Sequence, residues 1–244
     1  MNYPTDFNNK IICGDCIEVM KLIPNESIDL VVTSPPYNLS IRKNPAKTDH
    51  WKGKWNKSKL QSVGYDNHND YMPEDKYIAW QKNVLAECFR IIKNDGAIFY
   101  NHKWRVQKGL LQQRPEIVAG LPVRQIIIWK RAGGINFREG HFLPTYEVIY
   151  LIAKPNFKLS PKTNRYGDVW SITQERGSWH PAPFPLELAT KCISSSTGSI
   201  ILDPFCGSAT VPLAVKMLDK TYIGIDISPE YCKKGMERVD GYSK

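Results

Sequence analysis

The stretch SIILDPFCGSATVPLAVKMLDKTYIGID, residues 199–226, carries the pattern that decides the fold class. A short apolar run, Ser199–Leu202, predicts a buried strand, and a glycine-bearing loop, Asp203–Ser208, follows it. Residues Ala209–Leu218 predict a helix, after which Thr221–Ile225 predicts the next strand. A strand, a helix and a second strand in this order form a βαβ unit, the building block of α/β domains with a mostly parallel sheet.

The loop Asp203–Ser208, called the DPFCGS loop below, predicts a ligand site. A glycine at the junction of a strand and a helix lets the backbone approach a ligand beside the helix N-terminus. Asp226 stands at the end of the next strand, where a carboxylate can bind both hydroxyls of a ribose. The absence of a full G-x-G-x-x-G motif argues against a pyrophosphate and for a nucleoside cofactor. A βαβ unit without a ligand is the alternative.

The same alternation of apolar runs and helical periodicity extends along the rest of the chain. Tyr77–Ile92 has the apolar spacing of a helix, and Asn94–Gly96 predicts a turn before the next strand. Further strands are predicted at Ile28–Thr33, Ala97–Tyr100, Arg124–Trp129 and Val148–Ala153. Because no internal repeat or low-complexity segment divides the sequence, we expect one α/β domain over residues 1–244.

Ser34-Pro35-Pro36-Tyr37, called the SPPY turn below, directly follows the predicted strand Ile28–Thr33. Two consecutive prolines fix the backbone and remove two donors, which leaves carbonyl oxygens to accept hydrogen bonds. Such a turn suits the amino group of a nucleic-acid base, since the Ser34 side chain and the Pro35 carbonyl can take its two protons. Tyr37 would then stack on the base. An ordinary Pro-Pro turn is the alternative.

A segment from Asn38 to Tyr71 has no apolar periodicity and is rich in basic and aromatic residues. Its cations are Arg42, Lys43, Lys47, Lys52, Lys54, Lys57 and Lys59, and its aromatic residues include Trp51, Trp55 and Tyr65. Basic and aromatic side chains together suit phosphate contact and base stacking. This basic aromatic loop, residues 38–71, is therefore a candidate DNA-contacting insertion, with a solvated flexible loop as the alternative.

The motifs and their order resemble the circularly permuted, β-class amino-methyltransferases that act on DNA. That family has S/D/N-P-P-Y/F near the N-terminus and D-P-F-x-G-S/T-G-T near the C-terminus. This chain has SPPY and DPFCGSAT, with Ala209 in place of the final glycine. HPAPFP at His180–Pro185 matches the family motif just before the DPFCGS loop, and Gly14-Asp15 matches its N-terminal G-D motif.

The resemblance implies a Rossmann-like methyltransferase fold that depends on S-adenosyl-L-methionine (SAM). Such a fold has a mostly parallel sheet, helices on both faces and, in this family, a permuted motif order. The implied catalytic residues are Ser34, Pro35, Pro36 and Tyr37. The implied cofactor-binding residues are Asp15, His180, Pro181, Phe184, Asp203, Pro204, Phe205, Gly207, Ser208, Asp226 and Ile227, with Asp226 at the ribose and Asp15 and Ile227 near the adenine.

Members of the family with serine in the first motif position generally act on N4 of cytosine, and those with aspartate on N6 of adenine. Ser34 therefore favours cytosine, and N6-adenine methylation is the alternative. Serine accepts a hydrogen bond without placing a buried charge in the site, whose desolvation would be costly. The amino nitrogen attacks the SAM methyl group directly, so no cysteine nucleophile is needed. A catalytically inert nucleic-acid-binding module, or a methyltransferase for RNA or protein, fits the motifs less well.

The target base of double-stranded DNA must be rotated out of the duplex, so residues around the pocket must hold the DNA. The expected contacts are Arg42, Lys43, Lys52, Lys54 and Lys57. A second polar region, with Trp104, Arg105, Lys108, Gln112, Gln113 and Arg114, either reads base edges or forms a solvated helix face. Lys130–Gly134 resembles a hairpin that could grip phosphate.

The formal net charge of +9 favours a polyanionic partner. The six cysteines are scattered, so we expect reduced thiols and no metal site. No signal peptide or membrane span is recognised, and we expect a cytoplasmic, nucleoid-associated protein without a membrane partner. The family resemblance further implies a homodimer and a cognate restriction endonuclease as candidate partners.

Overall fold

A computed structural model describes most of the chain. The described residues are 1–38, 72–107, 109–133, 139–161, 163–175, 179 and 183–243. The basic aromatic loop lies outside them apart from Asn38, as do the predicted DNA contacts Arg42, Lys43, Lys52, Lys54 and Lys57. His180 and Pro181, predicted at the cofactor, also lie outside the described residues.

The described residues form strands and helices in alternation. The strands are β1 (Lys10–Cys13), β2 (Ile28–Thr33), β3 (Ile92–His102), β4 (Arg105–Gln107), β5 (Leu110–Gln112), β6 (Val123–Lys130), β7 (Tyr146–Ala153), β8 (Val169–Ser171), β9 (Ile200–Asp203) and β10 (Thr221–Asp226). The helices are α1 (Cys16–Met20), α2 (Glu74–Ile91), α3 (Leu186–Ser194), α4 (Thr210–Met217) and α5 (Pro229–Asp240). Short 3-10 turns occur at Pro115–Val118 and Thr163–Arg165.

Eight of the described strands form one sheet in the order β1-β10-β9-β2-β3-β7-β6-β8. The run from β1 to β3 is parallel, β7 is antiparallel to both of its neighbours, and β8 is parallel to β6. Strands β4 and β5 form a separate antiparallel pair. The prediction of an α/β fold with a mostly parallel sheet is confirmed.

Helices cover both faces of this sheet. Helices α1 and α2 pack in one apolar core and α3 and α4 in another. Side chains of strand β2 point alternately into the two cores. Leu30 and Val32 belong to the core of α3 and α4, whereas Val31 belongs to the core of α1 and α2. Strands buried on both faces explain why the sequence shows continuous apolar runs instead of alternation.

The predicted turn at Asn94–Gly96 is wrong. The structure continues β3 from Ile92, and the pairing with β2 shifts from Ile28↔Ile92 to Leu30↔Ala97, so that the intervening residues bulge. A Cβ on Gly96 would lie 2.9 Å from the backbone oxygen of Asp29. Gly96 therefore permits the close approach of β2 and β3. In the sequence, the same glycine after Asn94 and Asp95 resembles a turn.

The parallel strands end at one edge of the sheet. The chain leaves β2 towards β3 through α2 and leaves β9 towards β10 through α4, and these helices lie on opposite faces. The boundary between β2 and β9 is thus a topological switch point, where open α/β sheets form a crevice beyond the strand ends. None of the helices in the described part of the chain has the length and apolar composition needed to cross a membrane.

Candidate active site

The SPPY turn and the DPFCGS loop meet at this switch point. Thr33, the last residue of β2, donates a side-chain hydrogen bond of 2.8 Å to Oδ1 of Asp203, the last residue of β9. Both residues are buried. This bond joins two residues that are 170 positions apart in the sequence, and it places the SPPY turn and the DPFCGS loop at the ends of adjacent strands.

Asp203 is a buried acid with few compensating contacts. Its Oδ1 accepts from the Thr33 hydroxyl and from the Phe205 backbone N–H at 3.1 Å. Burial raises the pKa of Asp203 to about 7 against the lowering effect of these two bonds, and the charge of Asp226 adds a smaller rise. A nearby cation would lower this raised pKa and stabilise the ionised carboxylate. Asp203 therefore suits contact with a positively charged ligand.

Asp226 ties the end of β10 to the DPFCGS loop. One carboxylate oxygen accepts from the Gly207 backbone N–H at 2.9 Å, and the other accepts from the Ser228 N–H at 2.8 Å. Burial raises the pKa of Asp226, while these bonds oppose the rise. Ile227, the next residue, is exposed and offers an apolar side chain beside the carboxylate.

The other residues predicted at the cofactor have varied surroundings. Asp15 caps α1, with Oδ1 accepting from the N–H groups of Ile17 and Glu18, and it follows β1, which neighbours β10. Within the DPFCGS loop, Pro204 and Ser208 are buried, and the Phe205 ring meets Trp80 at 5.5 Å. Phe184 packs against Trp129 and the core of α3 and α4.

Ala209, the departure from the family motif, begins α4 in the left-handed region with φ of 59°. Glycine adopts this conformation without a steric penalty, whereas a residue with a Cβ costs about 1 kcal/mol or more. The Ala209 methyl is fully buried, and it lies where a Cβ on Gly235 would approach it to 3.0 Å. The absence of a side chain at Gly235 therefore leaves room for the Ala209 methyl.

Two carbonyl oxygens of the SPPY turn are held by neighbouring side chains. The Tyr77 hydroxyl donates to the Pro36 carbonyl at 2.9 Å, and the Arg114 guanidinium donates to the Tyr37 carbonyl at 2.7 Å. Among the described residues nothing donates to the Pro35 carbonyl. The Pro35 carbonyl, which is predicted to accept from the base amino group, thus has no donor among the described residues.

His102 is neutral and contacts Tyr77. Burial, together with the positive charges of Arg114 and Arg105, lowers the pKa of His102 to about 3. Its Nε2 lies 3.0 Å from the Tyr77 hydroxyl. Because the Tyr77 proton is donated to Pro36, this ring nitrogen must carry the proton and donate to the Tyr77 oxygen.

The alternative that the second polar region forms a solvated helix face is wrong, whereas its reading of base edges stays a prediction for Arg105. The region forms the β4–β5 hairpin. Arg114, also at positive φ, is buried and pairs with both oxygens of Glu74 at 2.6 and 2.9 Å while its guanidinium lies over the Tyr77 ring. Arg105 donates to the Asn38 carbonyl and to Gln112. These side chains hold the SPPY turn against α2. Lys108 lies outside the described residues.

Sequence reasoning missed a cluster of polar side chains behind the SPPY turn. The Ser34 hydroxyl lies 2.7 Å from the Tyr37 hydroxyl, which donates to Glu147 Oε2 at 3.0 Å. Asn101 Nδ2 contacts both hydroxyls and donates to Glu147 at 2.9 Å, and Arg131 pairs with Oε1 of the same carboxylate at 3.0 Å. A buried carboxylate, Glu147, therefore lies behind the neutral Ser34.

The clearest sequence signal for this cluster was a glutamate at the start of an otherwise apolar strand. Glu147 begins the buried part of β7, and Asn101 lies near the end of β3, its antiparallel neighbour. Tyr37 itself is nearly buried, with its ring 5.4 Å from that of His102. Its hydroxyl thus belongs to the hydrogen-bonded cluster as well as to the turn.

The cysteines offer no competing chemistry. All six are free thiols, and burial raises the pKa of Cys206, in the DPFCGS loop, well above its ordinary value. A protonated buried thiol is a poor nucleophile. Among the described residues no three His, Cys, Asp or Glu side chains group as a metal site would require.

Known proteins share this architecture. The structure is similar to that of the cytosine-N4-specific PvuII DNA methyltransferase, with a TM-score of 0.73 and 17% identity over 97% of this chain and 91% of that chain. It is also similar to the M1.HpyAVI-SAM complex, with a TM-score of 0.62 and 21% identity over 94% and 98% of the two chains. The fold is that of SAM-dependent methyltransferases, as predicted.

The sequence comparisons identify the family. The DNA adenine methyltransferase YhdJ of Escherichia coli (strain K12) is 27% identical over 97% of this chain and 85% of its own length. The model of the N6_N4_Mtase family, described as DNA methylase, matches residues 28–237, which include both the SPPY turn and the DPFCGS loop. A match that spans most of the chain shows that this protein belongs to the N6_N4_Mtase family of DNA methylases.

Proposed function

We propose that this DNA methyltransferase transfers the methyl group of SAM to the N4 amino group of cytosine in double-stranded DNA. The observation that carries the proposal is the hydrogen bond between Thr33 and Asp203. It sets an acceptor-rich turn beside a loop suited to a nucleoside cofactor, so that a methyl donor and an amino group held by them would be neighbours. Residues 1–244 would act as one catalytic domain in the permuted motif order.

The residues at the ends of β9 and β10 fit SAM. The Asp226 carboxylate is proposed to accept from the ribose hydroxyls, and the exposed Ile227 would offer an apolar contact for the adenine. The buried Asp203 lacks a cation among its described contacts and would be stabilised by the positive charge of the cofactor. Asp15, His180, Pro181, Phe184, Pro204, Phe205, Gly207 and Ser208 are proposed to complete the binding site.

The SPPY turn would hold the acceptor base. The lone pair of an exocyclic amino nitrogen is delocalised into the ring, so acceptors for its two protons raise its nucleophilicity. The Ser34 Oγ and the Pro35 carbonyl would supply these acceptors, with Pro36 keeping the turn rigid and Tyr37 contacting the base. SAM, when bound, supplies an electrophilic methyl group. The turn would hold the amino nitrogen towards that methyl group, and the methylated nitrogen would release a proton to water. Positioning accounts for most of the rate in such a reaction.

Cytosine is favoured because Ser34 is a neutral residue at the first motif position. The similarity to the cytosine-N4-specific PvuII enzyme agrees with this choice. N6-adenine methylation is the second candidate, and two observations support it. YhdJ, a relative over 97% of this chain, is a DNA adenine methyltransferase, and a buried carboxylate, Glu147, lies behind Ser34.

The basic aromatic loop would contact the DNA. Its ends are tied by the Asn38 side chain, which donates to the Met72 carbonyl at 2.9 Å and accepts from the Met72 N–H at 2.7 Å. Asn38 and Met72 are thus joined beside the SPPY turn, and the cations Arg42, Lys43, Lys52, Lys54 and Lys57 are proposed to bind phosphates. A homodimer and a cognate restriction endonuclease remain proposed partners from the family resemblance.

Nucleoside analysis tests the proposed base. Unmethylated duplex DNA is incubated with the protein and methyl-labelled SAM, digested to nucleosides and examined by mass spectrometry, with a Ser34→Ala reaction in parallel. We expect N4-methylcytosine from the wild type and at least tenfold less from the variant. N6-methyladenine would overturn the choice of base but keep the mechanism, whereas 5-methylcytosine or an unlabelled digest would refute amino methylation of DNA.

A further inference from the structure

A buried carboxylate, Glu147, is linked by two successive hydrogen bonds, through Tyr37, to Ser34, which is proposed to accept from the target base. Glu147 is 5% exposed, and its side chain is paired through Oε1 with Arg131, which is nearly buried as well. Its other oxygen, Oε2, accepts from the Tyr37 hydroxyl and from Asn101 Nδ2. Neither Glu147 nor Asn101 belongs to the SPPY turn or to the DPFCGS loop.

Among the described residues, the carboxylate sets the direction of the hydrogen bonds that link Glu147, Tyr37 and Ser34. An ionised carboxylate only accepts, so the single Tyr37 proton is donated to Glu147. The Tyr37 oxygen must then accept at its 2.7 Å contact with Ser34, which makes the Ser34 hydroxyl the donor of that pair. The Ser34 proton is thus donated to Tyr37, and the Ser34 oxygen, which accepts from Asn101 Nδ2 at 3.2 Å, keeps a lone pair to accept from a base amino group.

Asn101 supports the same direction. Its amide nitrogen faces the carboxylate, the Tyr37 hydroxyl and the Ser34 hydroxyl, and an amide nitrogen can only donate. Exchanging its oxygen and nitrogen would place two acceptors against each other at Glu147. The orientation of the Asn101 amide is therefore also set by the carboxylate.

The cluster is incompletely satisfied, which is unusual for a purely structural network. Asn101 Oδ1 and Arg131 Nε are buried without a hydrogen-bond partner in the described part of the chain. Buried ion pairs often stabilise a fold no better than apolar residues of the same size, and unsatisfied buried atoms cost stability. A network with these costs beside a catalytic turn points to a functional role.

We propose that Glu147 is a positioning residue that acts through Tyr37 to keep the Ser34 oxygen an acceptor for the amino group of the target base. Ser34 would thus accept hydrogen bonds from the base, as an acidic side chain in its place would, but without placing a charge in contact with the base. This inference rests on the proposed function of the SPPY turn. It adds Glu147 and Asn101 to the residues on which turnover depends.

A double-mutant cycle with Glu147→Gln and Ser34→Ala tests the proposal. The glutamine keeps the shape of the side chain but removes the charge. We expect Glu147→Gln to lower kcat at least tenfold on duplex DNA, with KM for SAM and the calorimetric affinity for SAM within twofold of the wild type. In the Ser34→Ala background the same substitution should change kcat less than twofold, because no hydroxyl remains to be oriented.

The outcomes separate this inference from the proposed function. A wild type that methylates DNA together with equal effects of Glu147→Gln in both backgrounds, or no effect in either, would overturn the role of Glu147. A wild type that methylates no DNA amino group would instead overturn the proposed function. Glu87→Gln is the matched control, since Glu87 pairs with Arg90 on α2 away from the site, and it should retain wild-type kcat.

Tyr37→Phe keeps the test decisive if Glu147→Gln does not fold. The phenylalanine preserves the ring but removes the hydroxyl that links Glu147 to Ser34. We expect it to lower kcat at least tenfold while leaving the affinity for SAM unchanged. A Tyr37→Phe protein with wild-type kcat would show that the carboxylate does not act through this hydroxyl and would overturn the proposal.

Discussion

Replacing Asp203 with Asn should stabilise the protein at alkaline pH while weakening its cofactor binding. Both hydrogen bonds to the Asp203 side chain, from Thr33 and from the Phe205 N–H, go to Oδ1. An asparagine oxygen in the same place can accept both. The substitution therefore removes the buried charge with little change in packing or hydrogen bonding.

The size of the effect follows from the raised pKa. Burial moves the pKa of Asp203 from 3.8 to about 7, so above pH 4 the unfolded chain ionises while the folded protein retains the proton. Wild-type stability therefore falls as the pH rises from about 4 to 7. At about 1.4 kcal/mol per pKa unit, the advantage of the asparagine variant should grow from near zero at pH 4 towards an upper bound of about 4 kcal/mol at pH 8.

Urea denaturation of both proteins without SAM, at several pH values from 5 to 8, measures this difference in the free energy of unfolding. Calorimetry at pH 8 should show at least tenfold weaker SAM binding by Asp203→Asn, since the cation loses its partner. A stability difference that does not change with pH would refute the assignment of a buried, proton-binding carboxyl. Unchanged SAM affinity would refute its pairing with the cofactor.

Three further variants test the contacts of Arg114, the thiol of Cys206 and the basic aromatic loop. Arg114→Lys should lower the free energy of unfolding by about 2 kcal/mol, because lysine cannot replace the forked contacts, and equal urea midpoints would contradict this. Cys206→Ala should keep kcat within a few-fold of the wild type, whereas a hundredfold loss would indicate a covalent mechanism. Replacing Lys52, Lys54 and Lys57 with Gln should reduce the salt-dependence slope of DNA binding by roughly 0.9 for each phosphate that is no longer neutralised; an unchanged slope would place these lysines away from the DNA.

The sequence predicted the sheet well where the strands are buried on both faces. The stretch 199–226 and the strand Ile28–Thr33 were recognised because period and composition change sharply at their ends. The short strands β4, β5 and β8 have three residues each, which is too few for a periodic signal. Helix α2 begins at Glu74, three residues before the predicted start, because its first turn is polar.

The site was predicted only where the motifs are local. The placement of the SPPY turn beside the DPFCGS loop follows from strand ends that share one edge of a parallel sheet. The partners of the turn come from elsewhere, since Glu147 is 110 residues from Tyr37 and Arg114 is 77 residues from it. Such contacts depend on the antiparallel placement of β7 and on a left-handed backbone at Arg114, which a single sequence does not reveal.

The central claim is that the SPPY turn binds the amino group and the adjoining DPFCGS loop binds SAM. Its most direct test is the single-turnover rate of methyl transfer to duplex DNA as a function of SAM concentration. Ser34→Ala should lower the plateau rate at least tenfold, roughly 1.4 kcal/mol of barrier, with an unchanged half-saturating SAM concentration. Asp226→Ala should instead raise the half-saturating concentration at least tenfold, with a much smaller effect on the plateau. Variants that both alter the same parameter would contradict a division of the site into an amine half at the SPPY turn and a cofactor half at the DPFCGS loop.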